Sequence, residues 1–472
     1  MNKVEEGTKL DSHSKLSKKT LICYGFGHML NDLTSSMWFS YLLIFFHYVL
    51  NFTCSISGVM LLIGQVADGL ATPLVGILSD KGAGHWLCKY GHRKSWHLIG
   101  TLCVAISFPF IFSPYFGFEY LGETGKICYY SAFITIFQFG WASVQVSHLS
   151  LAPDLTPNQD ERTSLLTIRY SFAVASNIIV HLFTWFLFAS YTNHESEVVG
   201  TEDRHKFQVI NGGKNKFNLK EILKITPCTK PEGCPILKIV GLFAVALGSV
   251  FSLIFHLGVN ERTQDNTTKN KETATRMKKT TVLSQFRLYH IMTIYMMSQL
   301  FVNQSQVFIP LYLEEYLHIE AKRLPVLPLI MYISSSLTSL ITKALNTNYG
   351  RKPAYVVGSM LAIFTCVIVY FGKGIFYKMY TIYVVTAVFG CATSIIMVTS
   401  LGITADLIGK HTTHGAFVYG LMSFGDKISN GISVMIIQHF KNENNKKEES
   451  IRVDDLEIKR VKRVRIFRPP NG

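Results

Sequence analysis

Residues 56–79, ISGVMLLIGQVADGLATPLVGILS, form an apolar run with one carboxylate, Asp68, near its middle. About twenty mostly apolar residues suffice for one helical crossing of a bilayer. An acid at mid-depth costs ~2.5–3.5 kcal/mol on the insertion scale, so it is tolerated chiefly where it faces a bundle interior or a watered cavity. The preceding run, 21–50, repeats the arrangement with Asp32. Two acids in adjacent spans point to a polytopic bundle with a polar route through it, and away from a soluble enzyme.

Working outward, the same criterion predicts helices at 21–50, 56–79, 96–117, 127–150, 167–190 and 237–259, then at 287–315, 325–347, 354–372, 378–405 and 414–438. The expected organisation is a cytosolic amino-terminal tail at 1–20, a six-helix half at 21–259, a cytosolic connector at 260–286, a five-span half at 287–438 and a basic polar tail at 439–472. The run at 21–50 is too long for a signal-peptide core and lacks a cleavage signature, so the first helix is the expected targeting element.

Of the 472 residues, 48% are hydrophobic and only 16% charged, a balance that suits a membrane bundle. The net charge of +15 resides mainly in connectors and tails, where it sets topology and predicts no nucleic-acid partner. Connectors after even-numbered spans hold Lys89, Arg93, Lys94, Arg262, Lys269, Arg351 and Lys352, which places the amino terminus in the cytosol. The long connector 191–236 is then luminal, and its Cys228 and Cys234 are candidates for a disulfide. No C-x-x-C or His/Cys cluster predicts a metal site.

The two halves echo each other. Tyr90-Gly91-His92-Arg93-Lys94 after span two resembles Tyr349-Gly350-Arg351-Lys352-Pro353 after span eight, and Pro153-Asp154-Leu155 resembles Ala405-Asp406-Leu407. Arg93 and Arg351 stand 258 residues apart, Asp154 and Asp406 252 apart, and Asn31 and Asn303 272 apart. A parallel repeat of this kind predicts an all-α major facilitator architecture of two pseudo-repeated six-helix halves. Here the pattern yields eleven spans. The basic tail would then lie on the wrong side for the orientation rule, so a lost twelfth helix is expected.

The words Gly64-Gln65-Val66-Ala67-Asp68-Gly69, Thr72-Pro73-Leu74-Val75-Gly76 and Gly91-His92-Arg93-Lys94-Ser95-Trp96 resemble the glycoside-pentoside-hexuronide cation symporters of the major facilitator superfamily. Asn31-Asp32-Leu33, Phe108-Pro109-Phe110, Phe137-Gln138-Phe139-Gly140-Trp141 and Gly415-Ala416-Phe417-Val418-Tyr419-Gly420 carry a closer resemblance to a lysosomal and melanosomal branch of that superfamily, over about residues 20–440. That resemblance implies a small-molecule carrier for cysteine in lysosome and melanosome membranes, with an effect on pigmentation. Two alternatives stay open: a sugar–cation symporter, and a non-transporting truncated membrane protein. No cofactor is expected; proton or cation coupling is compatible with the acids.

The candidate residues follow from helical spacing. His28 lies one turn from Asp32, and Gln65 and Thr72 one turn from Asp68, so each acid belongs to a polar stripe. Such an acid alternates between binding a cation and pairing with a base, or else is a hydrogen-bonded structural group. Lys427, at mid-span, is a candidate counter-charge for Asp68, with Asp426 as a competing partner. The resemblance places Asp32, Asp68 and Lys427 at the symporters' acid and lysine positions, Arg169 at a substrate-site arginine, and Thr72 where sodium-using members keep a second acid, which argues against sodium. Arg169 suits a carboxylate through its planar fork. Gln145 and Asn303 are candidate uncharged substrate contacts. Asp80, Arg93, Lys94, Asp154, Arg162, Arg351, Lys352 and Asp406 are candidate gate pairs. His47, His148, His181 and His256 read as satisfied structural histidines ahead of proton relays.

Overall fold

The computed structural model describes residues 16–81, 90–113, 120–156, 158–207, 235–261, 286–319, 323–408 and 415–466. Among them the secondary structure is helical, with no strand. In chain order the helices are α1 (Lys18–Phe26), α2 (Met29–Ile44, running into a π turn at Phe45–Val49), α3 (Cys54–Lys81), α4 (His92–Phe112), α5 (Glu123–Leu155), α6 (Gln159–Phe207), α7 (Pro235–Gly258), α8 (Phe286–Glu315), α9 (Val326–Asn348), α10 (Arg351–Phe371), α11 (Ile382–Ile408, after a π turn at Tyr377–Thr381) and α12 (Gly415–Ile466).

The first expected span is not one helix. Ser17 caps α1 by accepting from the Lys19 amide at 3.3 Å, and the helix stops at Gly27. α2 begins anew after His28. Glycine is needed there because a Cβ on Gly27 would meet Phe255 at 2.6 Å and His148 at 2.7 Å. The last expected span also differs, since the backbone of α12 continues as helix through the polar tail to Ile466. The tail's Lys/Glu-rich composition favours helix, and Glu443 and Lys446 pair across one turn at 3.2 Å. α6 likewise runs on into the 191–236 connector, to Phe207.

Eight helices among the described residues are long and apolar enough to cross a membrane: Cys54–Ser79, His92–Phe112, Glu123–Ala152, Ser164–Ser190, Ile236–Gly258, Val326–Asn348, Arg351–Phe371 and Tyr377–Thr404. The three other expected spans fall outside that set for local reasons. The first is split; α8 carries Gln299, Asn303, Gln304 and Gln306 in mid-run; α12 carries Asp426, Lys427 and Asn430. A row of exposed apolar side chains on α10, among them Val356, Met360, Ile363, Phe364 and Val367, suits contact with lipid.

The repeat is visible in the backbone. Gly91 at φ +112° and Gly350 at φ +87° each precede a helix, α4 and α10, in a conformation that only glycine adopts without strain. In the amino-terminal half α4 packs on α5, α3 on α5, and α7 covers α2 and α4. In the carboxy-terminal half α9 and α10 both pack on α11, and α8 meets α11 and α12. The halves meet along three helix pairs, α3 with α12, α2 with α8 and α6 with α9. Between α8, α10 and α11 lies a cleft of about 890 Å³, lined by Phe308, Tyr312, Cys366, Tyr370 and Phe389. It is the counterpart of the α2–α4 face that α7 covers.

Core packing differs at the two ends. At the face remote from the amino terminus, one apolar cluster joins both halves: Leu42, Phe45 and Phe46 of span one pack with Leu311, Leu313 and Leu317 at the end of α8 and with Leu327 and Tyr377. At the amino-terminal face each half keeps its own cluster. Tyr24, Leu151, Leu155, Leu165 and Phe255 form one, and Leu288, Ile291 and Met422 the other.

Candidate functional site

Two charged clusters occupy mid-depth. The first joins the halves. Lys427 of α12 donates from Nζ to Asp68 Oδ1 of α3 and to Thr72 Oγ1 at 2.8 Å. Thr72 Oγ1 lies 3.3 Å from Asp68 Oδ1 and donates to the Asp68 carbonyl at 2.9 Å. Asp68 and Lys427 are only 4% and 7% exposed. The Trp141 ring lies 5.3 Å from Nζ and adds a cation–π contact. Asp426, one residue away, points elsewhere: Asn430 Nδ2 donates to its Oδ1 at 2.6 Å, and Gln304 donates to the Asn430 carbonyl at 3.1 Å. Lys427 has therefore resolved its two possible partners in favour of the acid across the seam.

The second cluster belongs to the amino-terminal half. His28, at the break between α1 and α2, donates from Nδ1 to Asp32 Oδ1 at 2.9 Å, while Arg169 of α6 approaches His28 Nε2 at 3.0 Å. A guanidinium only donates, so Nε2 accepts and the imidazole is neutral with its proton on Nδ1. Asp32 Oδ2 and Arg169 Nε are buried without a hydrogen-bond partner. One imidazole thus separates a carboxylate from a guanidinium, and each keeps an unused polar atom. Asn31 anchors this wall by donating to the Trp141 carbonyl at 2.8 Å.

Gln145 on α5 and Asn303 on α8 are half-buried. The candidate gate residues occupy several settings. Arg93 Nε and Asp154 Oδ2 are 2.5 Å apart, a pair inside the amino-terminal half. Lys94 is 4% exposed and donates to the His256 carbonyl at 3.1 Å, which packs it inside the amino-terminal half. Arg162 donates to the Thr156 carbonyl at 2.9 Å. Arg351 lies against Gly402, where a Cβ would stand 2.7 Å from Nη1, and Lys352 is exposed. The side chains of Asp80 and Asp406 lie outside the described residues, as do Cys228 and Cys234.

Several residues of the site escaped sequence reading. Glu261 accepts from the amides of Arg93 at 3.1 Å and Lys94 at 3.1 Å, capping α4 from the far end of the half. His97, Tyr90 and Trp141 carried no spacing signal, because their partners sit on other helices. Among the described residues no group of His, Cys, Asp and Glu is arranged to hold a metal ion.

A bundle of two similar helical halves, with an acid of one half paired to a lysine of the other at mid-depth, defines a membrane transporter. The chain belongs to the MFS/sugar transport protein family, whose model matches residues 23–439. It is 40% identical over 433 residues to the Homo sapiens major facilitator superfamily domain-containing protein 12, covering 90% of this chain and 85% of that protein. The Equus caballus protein of the same name is 38% identical over 435 residues, with the same coverage. An uncharacterized symporter of Synechocystis is 30% identical over 170 residues, 36% of this chain and 30% of the symporter. Among solved structures, the inward open xylose transporter XylE of E. coli superposes with a TM-score of 0.60 at 11% identity, covering 89% of this chain and 88% of XylE. These relatives are transporters by fold and family, not enzymes.

Proposed function

We propose that the chain is a secondary carrier of a small zwitterionic amino acid, with cysteine as substrate and the proton as coupling ion, in the membrane of lysosomes and melanosomes. The observation that carries this reading is the Arg169–His28–Asp32 cluster. It holds opposite charges on either side of one imidazole, with Asp32 Oδ2 and Arg169 Nε unpartnered. A zwitterion fits such a pair: its carboxylate takes the guanidinium and its ammonium the free carboxylate oxygen. Cysteine, and the organelles, come from the family resemblance.

Coupling is assigned to Asp68. While ionised, it holds Lys427 and so ties α3 to α12. A proton on the carboxyl removes the ion pair and frees Lys427, which lets the halves rock about the apolar cluster at the remote face. Arg93–Asp154 then acts as a brace inside one half, affecting rate more than selectivity. A sugar–cation symporter is the second reading, favoured by the sugar-transport description of the matching family.

The deciding experiment is uptake of labelled cysteine into vesicles holding the purified chain, under an imposed pH gradient, for native protein, Asp32→Asn, Arg169→Lys and Asp68→Asn. Native uptake should be competed by small amino acids and not by sugars, and all three variants should lose it. Competition by sugars, or uptake of cysteine stripped of either charge at the native rate, overturns the amino-acid reading. Gradient-driven uptake that survives Asp68→Asn overturns the coupling role.

A further inference from the structure

Four imidazoles crowd the amino-terminal half where span one breaks, two of them hydrogen-bonded and the others in ring contact. Tyr90, 41% exposed at the amino-terminal face, has its hydroxyl 2.8 Å from His256 Nδ1. His256 Nε2 lies 3.0 Å from His97 Nδ1, and His97 Nε2 lies 2.8 Å from the Gly27 carbonyl. A carbonyl only accepts, so His97 carries its proton on Nε2 and accepts at Nδ1. His256 must then donate from Nε2 and accept from Tyr90, and every bond in the row points the same way. Beyond His97 stands His148, ring centroids 6.0 Å apart, and beyond it His28, 5.8 Å further. His148 donates from Nε2 to the Tyr24 carbonyl at 2.7 Å, so its buried, unpartnered Nδ1 is a bare acceptor.

We propose that Tyr90, His256, His97 and His148 form a proton-conducting file from the amino-terminal face to the His28–Asp32 pair. The file rests on the reading of Asp32 as a substrate-site acid, which it extends by having that acid take up a proton of its own beside the coupling acid Asp68. It supplies that acid by a route outside the substrate cavity, so that protonation does not wait for substrate to clear the path.

Two features separate a file from helix glue. A buried imidazole nitrogen left unpaired is costly, and His148 keeps Nδ1 as a bare acceptor. The row also ends on solvent at one side and on a carboxylate at the other. The charges facing it are Lys94, which lies 4.4 Å over the Tyr90 ring and bonds the His256 carbonyl, Glu261, whose carboxylate caps α4 beside Lys94, and Arg169 and Asp32 at the inner end. The step balances as one proton taken from solvent and one proton delivered to Asp32. Hydronium gives a proton to the Tyr90 oxygen, leaving water, as the hydroxyl's own proton passes to His256 Nδ1; the Nε2 proton of His256 passes to His97 Nδ1. His97, now carrying two protons, yields one to His148 Nδ1 as the ring turns. His148 protonates His28 at Nε2, displacing Arg169, and the Nδ1 proton of His28 moves to Asp32.

The test needs no substrate. Purified full-length protein is subjected to a rapid acid jump, and formation of the neutral carboxyl of Asp32 is followed by time-resolved infrared absorption, the band being assigned by its loss in Asp32→Asn. In Tyr90→Phe and His97→Gln the band should reach its native amplitude about tenfold or more slowly, because a positioned proton-transfer group is worth ~10²–10⁴ in rate. A native rate in both variants overturns the file. Slowing that comes with a lost or shifted band also overturns it, because that is how a merely structural role reads. Tyr90→Phe removes one half-exposed hydroxyl and keeps the test available if His97→Gln fails to fold. If Asp32→Asn loses no band, the acid does not protonate and the file has no terminus, while the substrate role of Asp32 and the coupling role of Asp68 stand. If that band is present and its rate is insensitive to the variants, the file alone falls.

Discussion

The pair between Asp68 and Lys427 makes a stability prediction that does not depend on the substrate. Both side chains are almost wholly buried, and Lys427 Nζ has two oxygen partners, on Asp68 and Thr72. Replacing one member of such a pair leaves the other charge in a dry site at a cost of about 3–5 kcal/mol, whereas removing both charges is close to neutral. Lys427→Met leaves Asp68 with only the Thr72 hydroxyl, 3.3 Å away; Asp68→Asn leaves the Lys427 charge facing a neutral amide, that hydroxyl and the Trp141 ring. Each single variant should therefore melt well below the native protein in detergent, read as loss of the monodisperse chromatographic peak on heating. The double variant should recover most of the loss, because the two changes share one interaction. If the double loss equals the sum of the singles, or if neither single variant shifts the melt, the two side chains are not coupled and the description of the seam is wrong.

Other expectations follow from local geometry. Gly390→Val should abolish recovery of folded protein, since a Cβ there stands 2.3 Å from the Met331 carbonyl oxygen and 2.1 Å from Ser334 Oγ, while Gly122→Ala, with nothing within 4 Å, should melt as the native protein does. Glu261→Ala should cost about 1 kcal/mol through loss of the cap on α4, and faster hydrogen exchange at the amides of Arg93 and Lys94 checks it. Lys446→Ala should leave the melting temperature unchanged, because its pair with Glu443 is exposed and such pairs contribute little.

The helices of the membrane core were legible because hydrocarbon demands runs of apolar residues, and the repeat because Tyr90-Gly91 and Tyr349-Gly350 mark the same positive-φ turn. The break at Gly27 and His28 was not legible. Inside a long apolar run a single glycine is no stop signal, and here Phe255 and His148, from distant helices, crowd the position. The acids and Lys427 stood out by their energetic cost in lipid, yet the choice between Asp68 and Asp426 as partner required the packing of α3 on α12. Lys94 read as a candidate gate charge because it lies in a basic connector motif; its burial under Tyr90 and against His256 is set by the end of α7. The imidazole row was hidden for the same reason. His97, His148 and His256 come from three helices, and no one-dimensional spacing relates them.

Small residues divide the molecule into parts that cannot slip and a part that can. Within each half, backbones touch: a Cβ on Gly100 would meet the Gly140 carbonyl oxygen at 2.7 Å, and one on Gly390 the Met331 carbonyl oxygen at 2.3 Å, so α4–α5 and α9–α11 are welded. Along α3 and α12 glycines also line the contact, Gly58 against Gln438 and Met435, Gly69 against Phe424, and Gly431 against Gln65. There each glycine meets mainly a side chain, which leaves shallow relief where interlocking ridges would otherwise stand. Rotation of one rigid block on the other then meets little steric friction, and among the described residues the catch on that track is an ionic bolt at its centre.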